Sequence, residues 1–174
     1  NDQVALYAFG GKVCTVTNVI GFVTDKNRVI NTLNNEFPQA EGDTPFYDAV
    51  YQAIQDLGRA KPTRKVVVAL TDGEDTCSLV QPGSLIDAAN RAGISIYTIG
   101  LTNKYIKPDI LERIARLTGG SYQAADAPEA LPTLYKTLAD LFKQQYVLQF
   151  NAAALCDGKD NHRIVIKAVV QDKS

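Results

Sequence analysis

The 174-residue sequence predicts an α/β domain built as a doubly wound, mostly parallel sheet with one antiparallel edge hairpin, followed by a β-rich appendage. Three observations carry that expectation. Apolar runs of strand length alternate with segments whose apolar residues recur at helical spacing, the pattern of a parallel sheet with helices on both faces and right-handed crossovers. The run Lys65 to Thr71 is continuously apolar and β-branched through its middle, as strands covered on both faces are. At the two ends of the chain the alternation breaks down, and strand-like runs follow one another with no helix between them.

Taken in order, Val4 to Phe9 and Lys12 to Val16 flank Gly10-Gly11 and read as a hairpin. From Asp25, Val29, Ile30 and Leu33 fall at helical spacing behind a cap at Thr24 or Asp25, which predicts a short helix. A loop from Pro38 to Asp43 leads to Thr44, placed to cap a second helix with Pro45 at its first position, where a missing N–H leaves nothing unpaired. Ala49, Val50, Ala53, Ile54 and Leu57 form that helix's inward face, and Gly58 stops it. Lys65 to Thr71 is the expected central strand. A helix from about Gly83 to Ala92, a strand from Ser95 to Gly100 and a helix from Pro108 to Leu117 closed by Gly119-Gly120 come next. A short strand, Ser121 to Ala124, and a long helix, Pro128 to Gln144, complete the domain, expected to span residues 1–144. Residues 145–174 carry a strand pair, Tyr146 to Phe150 and Arg163 to Val170, that starts another β-rich unit or caps the first.

Composition narrows the function classes. Hydrophobic residues make up 45% and charged residues 21%, the balance of a folding globular chain. A net charge of −1 offers no basic footprint for nucleic acid or an anionic membrane. Apolar runs such as Val66 to Leu70 fall far short of the ~20 residues that cross a bilayer, and no charged-then-apolar leader opens the sequence. His162 is the single histidine and has no assignable Ser or Cys partner, so a hydrolase triad has little support and a structural role is expected. The phosphate-binding signatures are absent.

Three cysteines with no CxxC pair argue against zinc. Cys14 lies in a β-like run and reads as a small buried apolar residue. Cys77 and Cys156 each sit in a polar loop and form a candidate disulfide if the compartment oxidises, which would imply an extracytoplasmic location.

The segment richest in chemistry is Leu70-Thr71-Asp72-Gly73-Glu74-Asp75, at the carboxyl end of the most apolar strand. Ligands of open α/β sheets bind beyond the carboxyl ends of strands. Glu41-Gly42-Asp43-Thr44-Pro45 supplies a hydroxyl at a helix start, and carboxylate with hydroxyl oxygens suits Mg2+, Mn2+ or Ca2+. Asp72 before Gly73 also fits an ordinary turn, and Glu74 and Asp75 fit a solvated acidic rim.

Gly42-x-Thr44 before an amphipathic helix, then an apolar strand ending in Thr71-Asp72-Gly73, resembles the von Willebrand factor type A domain, a Rossmann-like fold. The hairpin, the strand ending at Gly100 and Leu117-Thr118-Gly119-Gly120-Ser121-Tyr122 match later family elements in order, so the resemblance covers about Val4 to Phe142. It implies a metal-ion-dependent adhesion site in which Thr44 and Asp72 join a DxSxS motif around one divalent ion, and an acidic side chain of a partner protein completes the coordination. Family members carry DxSxS on a first, central strand, and no DxSxS occurs in this sequence. The chain is therefore expected to be a fragment whose first strand and helix come from residues outside it. A rearrangement in which Ile164 to Val170 and Asp172-Lys173-Ser174 fill that slot is disfavoured by Lys167 in mid-strand, and the tail more closely resembles the β-rich segment that follows type A domains in many bacterial surface proteins.

The function expected is thus a non-enzymatic, divalent-metal-dependent adhesion module at the cell surface or in a secreted assembly. A metal-free structural domain of the same fold is the alternative. A metal-assisted hydrolase would need a base or a second carboxylate cluster near Asp72, and none stands out.

Overall fold

A computed structural model describes residues 2–38, 42–60 and 64–143. By its internal contacts the chain divides into two units, Asn1–Thr137 and Leu138–Ser174. Of the second only 138–143 are described, so the predicted strand pair, Cys156, His162 and the terminal Asp172-Lys173-Ser174 lie outside the described residues. The elements run β1 (Val4–Gly10), β2 (Thr15–Val23), α1 (Lys26–Asn35), α2 (Phe46–Arg59), β3 (Lys65–Thr71), α3 (Pro82–Ala92), β4 (Ile94–Leu101), α4 (Pro108–Leu117) and β5 (Tyr122–Ala125). A single 3-10 turn at Pro128–Ala130 then precedes α5 (Leu131–Lys143).

The predicted α/β architecture is present as an antiparallel β1–β2 hairpin and a parallel three-stranded sheet in the order β3-β4-β5. The expectation of a central Lys65 to Thr71 strand is corrected: β4 holds the middle place, with β3 paired on one side and β5 on the other. Burial follows pairing. In β4 Ile94, Ile96, Tyr97, Thr98 and Ile99 are all buried, whereas in β3 Val67, Ala69 and Thr71 are buried and Val68 is 37% exposed. Both runs are equally apolar in sequence, and apolarity does not reveal which strand has two neighbours.

The two sheets meet through α2, which packs on both β1 and β3. Its buried face is Phe46, Ala49, Val50, Ile54 and Leu57, close to the predicted set, and covering each larger side chain contributes on the order of 1.5–3 kcal/mol. Phe9 of β1 meets Phe46 edge to face with ring centroids 5.9 Å apart. The Tyr7 hydroxyl donates to Asp56 Oδ2 at 2.7 Å, and Asn18 Nδ2 donates back to the Tyr7 oxygen at 3.1 Å. Burial first, then the Asp56 hydrogen bond and charge, push the Tyr7 phenol far above its ordinary pKa, so it stays a donor.

Helix α1 begins as expected behind Asp25, whose side chain accepts from the Asn27 amide at 2.9 Å. Its predicted inward face is only partly covered, with Ile30 55% and Leu33 50% exposed and Thr32 buried instead. The helix packs on β2, and no second layer covers its other apolar residues among the described residues. At the end of α4 the buried Thr118 hydroxyl accepts from the Ile96 amide at 3.1 Å and donates to the Ile114 carbonyl at 2.8 Å, tying helix to sheet. The next turn passes so close to β4 that a Cβ on Gly120 would stand 1.9 Å from the Ile96 oxygen, which explains the second glycine there. Among the described residues no helix is long and apolar enough to cross a membrane.

Candidate functional site

Asp72 leaves β3 at the carboxyl end of the sheet, in a turn shaped by the Thr71 hydroxyl, which donates to the Gly73 carbonyl at 3.0 Å and accepts from the Gly73 amide at 3.3 Å. The Asp72 carbonyl accepts from Asn103 Nδ2, on the loop after β4. Its carboxylate is exposed and has no hydrogen bond or ion pair among the described residues. Thr44 stands against this turn. A Cβ on Gly73 would lie 3.7 Å from Thr44 Oγ1, so Thr44 stands beside the turn that follows Asp72.

Thr44 does not cap α2, contrary to the sequence expectation. The helix starts at Phe46, Pro45 holds the cap position, and that cap makes no side-chain hydrogen bond. Free N–H groups at the helix start are met from the loop after β3. Tyr47 N donates to Asp75 Oδ2 at 2.9 Å and Asp48 N to Ser78 Oγ at 3.0 Å. The Ser78 hydroxyl donates to Asp75 Oδ2 at 2.6 Å, and the Ser78 amide to Asp75 Oδ1 at 3.0 Å. Thr44 engages the same loop by its backbone alone: its amide donates to Thr76 Oγ1 at 2.8 Å, and its carbonyl accepts from the Thr76 amide at 3.1 Å. The Thr44 hydroxyl is left without a partner among the described residues.

Asp75 is therefore a partly buried helix cap, which corrects its reading as a solvated rim residue. Glu74 fits that reading, being exposed and ion-paired with Lys107. Asp48 is engaged too, accepting from the amides of Leu79 at 3.1 Å and Val80 at 2.8 Å. Burial, then the charges of Asp75 and Glu74, raise the Tyr47 phenol pKa above its usual value. The capping residues and Asn103 went unnoticed in the sequence. Asp75-x-x-Ser78 is a recognisable local pairing, but its reach to a helix 28 residues upstream has no local signature.

The cysteine pairing is corrected as well. Cys77 is bonded to Cys14, with Cα atoms 6.1 Å apart and the two residues 63 positions apart in sequence, and not to Cys156. Nor is Cys14 a buried strand residue: it sits half-buried in the hairpin turn just before β2, at φ 49°. Gly42 packs against the same turn, forming a parallel bridge with Gly11, while Asp43 N donates to the Gly11 carbonyl at 3.3 Å. A Cβ on Gly42 would be 2.9 Å from the Gly11 carbonyl carbon, and its φ of 83° favours glycine in any case. The hairpin turn, Gly42 to Thr44 and the loop from Asp72 to Ser78 thus form one bonded face.

For a divalent ion this face offers the Asp72 carboxylate and the Thr44 hydroxyl as hard oxygen donors, and the exposed Asp43 carboxylate next to Thr44 likewise has no partner among the described residues. Glu74 and Asp75 are already committed, and among the described residues no group of three or more His, Cys, Asp or Glu could hold a metal.

The family model of the von Willebrand factor type A domain matches residues 1–137. The chain belongs to that family. Type A domains are protein-interaction modules, and this one shares its fold with several of known structure. Proximal thread matrix protein 1 of the mussel byssus, in a structure described as having a zinc-occupied MIDAS motif, aligns at TM-score 0.67 and 20% identity over 80% of this chain and 34% of that one. A von Willebrand factor type A protein from Catenulispora acidiphila aligns at 0.61 and 20% identity, over 78% and 32% of the respective chains. The conserved hypothetical protein BatB from Bacteroides thetaiotaomicron aligns at 0.58 and 17%, over 83% and 81%. This type A domain thus spans about a third of the first two chains and most of the third. No curated protein matches it.

Proposed function

We propose that this type A domain is a non-catalytic adhesion module that uses a divalent cation, held by Thr44 and Asp72, to bind an acidic side chain of a partner protein. One observation carries the reading: the Thr44 hydroxyl and the Asp72 turn stand together at the carboxyl end of the sheet with both side chains free, while Asp48, Glu74 and Asp75 around them are each engaged. The bound cation supplies positive charge and open coordination positions for a carboxylate. The chain's own residues set the geometry. Asn103 holds the Asp72 carbonyl, the Thr71 hydroxyl fixes the turn, and paired backbone bonds to Thr76 hold Thr44 in place. The free groups are thus presented without local rearrangement, which favours tight binding. The Cys14–Cys77 disulfide supports an extracytoplasmic location, where such bonds persist.

The test is a magnesium titration by calorimetry on the native protein and on Asp72→Ala. Mg2+ at a hundred times its Kd stabilises the folded state by about 2.7 kcal/mol, and this increment is expected to vanish in the variant while its metal-free stability changes little. Equal Mg2+ affinity in the two proteins would sink the proposal. Since no group of three or more His, Cys, Asp or Glu could hold a metal among the described residues, one competing reading is a structural domain that docks by shape without metal. A native protein that binds none of Mg2+, Mn2+ and Ca2+ would establish it.

A further inference from the structure

The three most exposed large apolar side chains among the described residues are Leu79 at 89%, Val13 at 83% and Tyr105 at 61%. They come from three different loops, and all three loops lie at the end of the domain that carries Thr44 and Asp72. Isolated apolar residues on a surface mean little, but the most exposed ones gathered around a polar centre mark an interaction site.

Each is held by the bonds that build the face. Val13 precedes Cys14, and the disulfide to Cys77 fastens it two residues from Leu79. The Leu79 amide donates to Asp48 in the first turn of α2, the helix that follows Thr44. On the Asp72 side, the Tyr105 amide donates to Asn103 Oδ1 at 2.7 Å, and the Asn103 amide group holds the Asp72 carbonyl. Lys104 lies with its ammonium 4.8 Å from the Tyr105 ring centroid, a cation–π contact that leaves an exposed positive charge beside the ring. The other lysine of this loop, Lys107, is neutralised by Glu74.

We infer that the partner is a protein segment in which one Asp or Glu has large apolar residues on both sides of it. Val13 and Leu79 receive an apolar side chain on the Thr44 side, and Tyr105 receives another on the Asp72 side. Lys104 attracts the segment's acidic charge as it docks. The inference rests on the proposed function and adds the chemistry that selects among acidic segments, since a carboxylate alone would be bound from almost any protein surface.

The test is selection of a random peptide library displayed on phage by the full-length protein in Mg2+, with elution by EDTA. Enriched peptides are expected to carry an Asp or Glu with Leu, Ile, Phe or Tyr within a few positions on each side. Leu79→Ser and Tyr105→Ser should each weaken the best synthetic peptide about tenfold in fluorescence polarisation, the effect of losing a large apolar side chain from an interface. Mg2+ affinity measured by calorimetry should be unchanged in both variants. Acidic peptides without apolar neighbours, peptides indifferent to both substitutions, or no enrichment at all would each overturn the inference. Failure of the proposed function is distinguishable, because it appears as absent Mg2+ binding in the calorimeter and as peptide binding that EDTA does not release.

Discussion

Replacing Cys14 and Cys77 together by serine removes a crosslink between the hairpin turn and the loop after β3, and the cost follows from the length of chain it closes. The two residues are 63 apart in sequence. Closing a loop of that length lowers the entropy of the unfolded chain by about 14 cal/mol/K, or about 4 kcal/mol at 25 °C. That is a large share of the roughly 5–15 kcal/mol that holds a domain folded. For the Asn1–Thr137 unit, whose unfolding entropy scales with its length, the midpoint should fall by about 15 °C. The assay is thermal and urea denaturation, both monitored by circular dichroism, of the oxidised protein, the double-serine variant and the native protein with reductant. The last two should coincide and unfold well before the first. In native, unreduced protein neither Cys14 nor Cys77 should react with an alkylating reagent. A stability difference below about 1 kcal/mol would refute the loop-closure reasoning, and rapid labelling of both thiols would refute the pairing itself.

Three further outcomes are expected. Asp75→Ala leaves the Tyr47 amide and both Ser78 donors without an acceptor and should cost about 1–2 kcal/mol in chemical denaturation. Metal-free Asp72→Ala should cost less than about 0.5 kcal/mol in the same assay, and equal losses would contradict the separate roles given to these two carboxylates. Tyr7→Phe removes one donor to Asp56, whose pKa is held below the usual carboxylate value by hydrogen bonds from Gln52 and then Tyr7. A depressed carboxylate stabilises the fold above its unfolded pKa of about 3.9, and that stability is lost as pH falls through the lower folded value. The gap between native and variant should therefore be about 1 kcal/mol at neutral pH and close below about pH 4. A gap that does not change with pH would show that the Asp56 charge plays no part.

Much of this fold was legible in the chain because its signals are local. Alternating periodicity places α2, β3, α3, β4 and α4 within a residue or two of their observed bounds, and Asp25 caps α1 through an amide only two residues away. Thr44 and Asp72 were legible as a candidate pair because each closes a recognisable local pattern, one before a helix and one after a strand. What escaped depends on distant neighbours. The central place of β4 depends on which strands pair, the exposure of Ile30 and Leu33 on what covers α1, and the role of Asp75 on an amide 28 residues upstream.

The cysteines show the same division. Sequence alone provides three thiols and an α/β frame, along with apolar runs long enough to build it, because periodicity and side-chain type act over a few residues. Only the folded chain selects Cys14 as the partner of Cys77, leaves the Thr44 hydroxyl and the Asp72 carboxylate unpaired among the described residues, and leaves Val13, Leu79 and Tyr105 exposed on loops of the same end. Those outcomes are set by which loops arrive at the same end of the sheet, and the meeting of segments tens of residues apart is decided by packing across the whole domain.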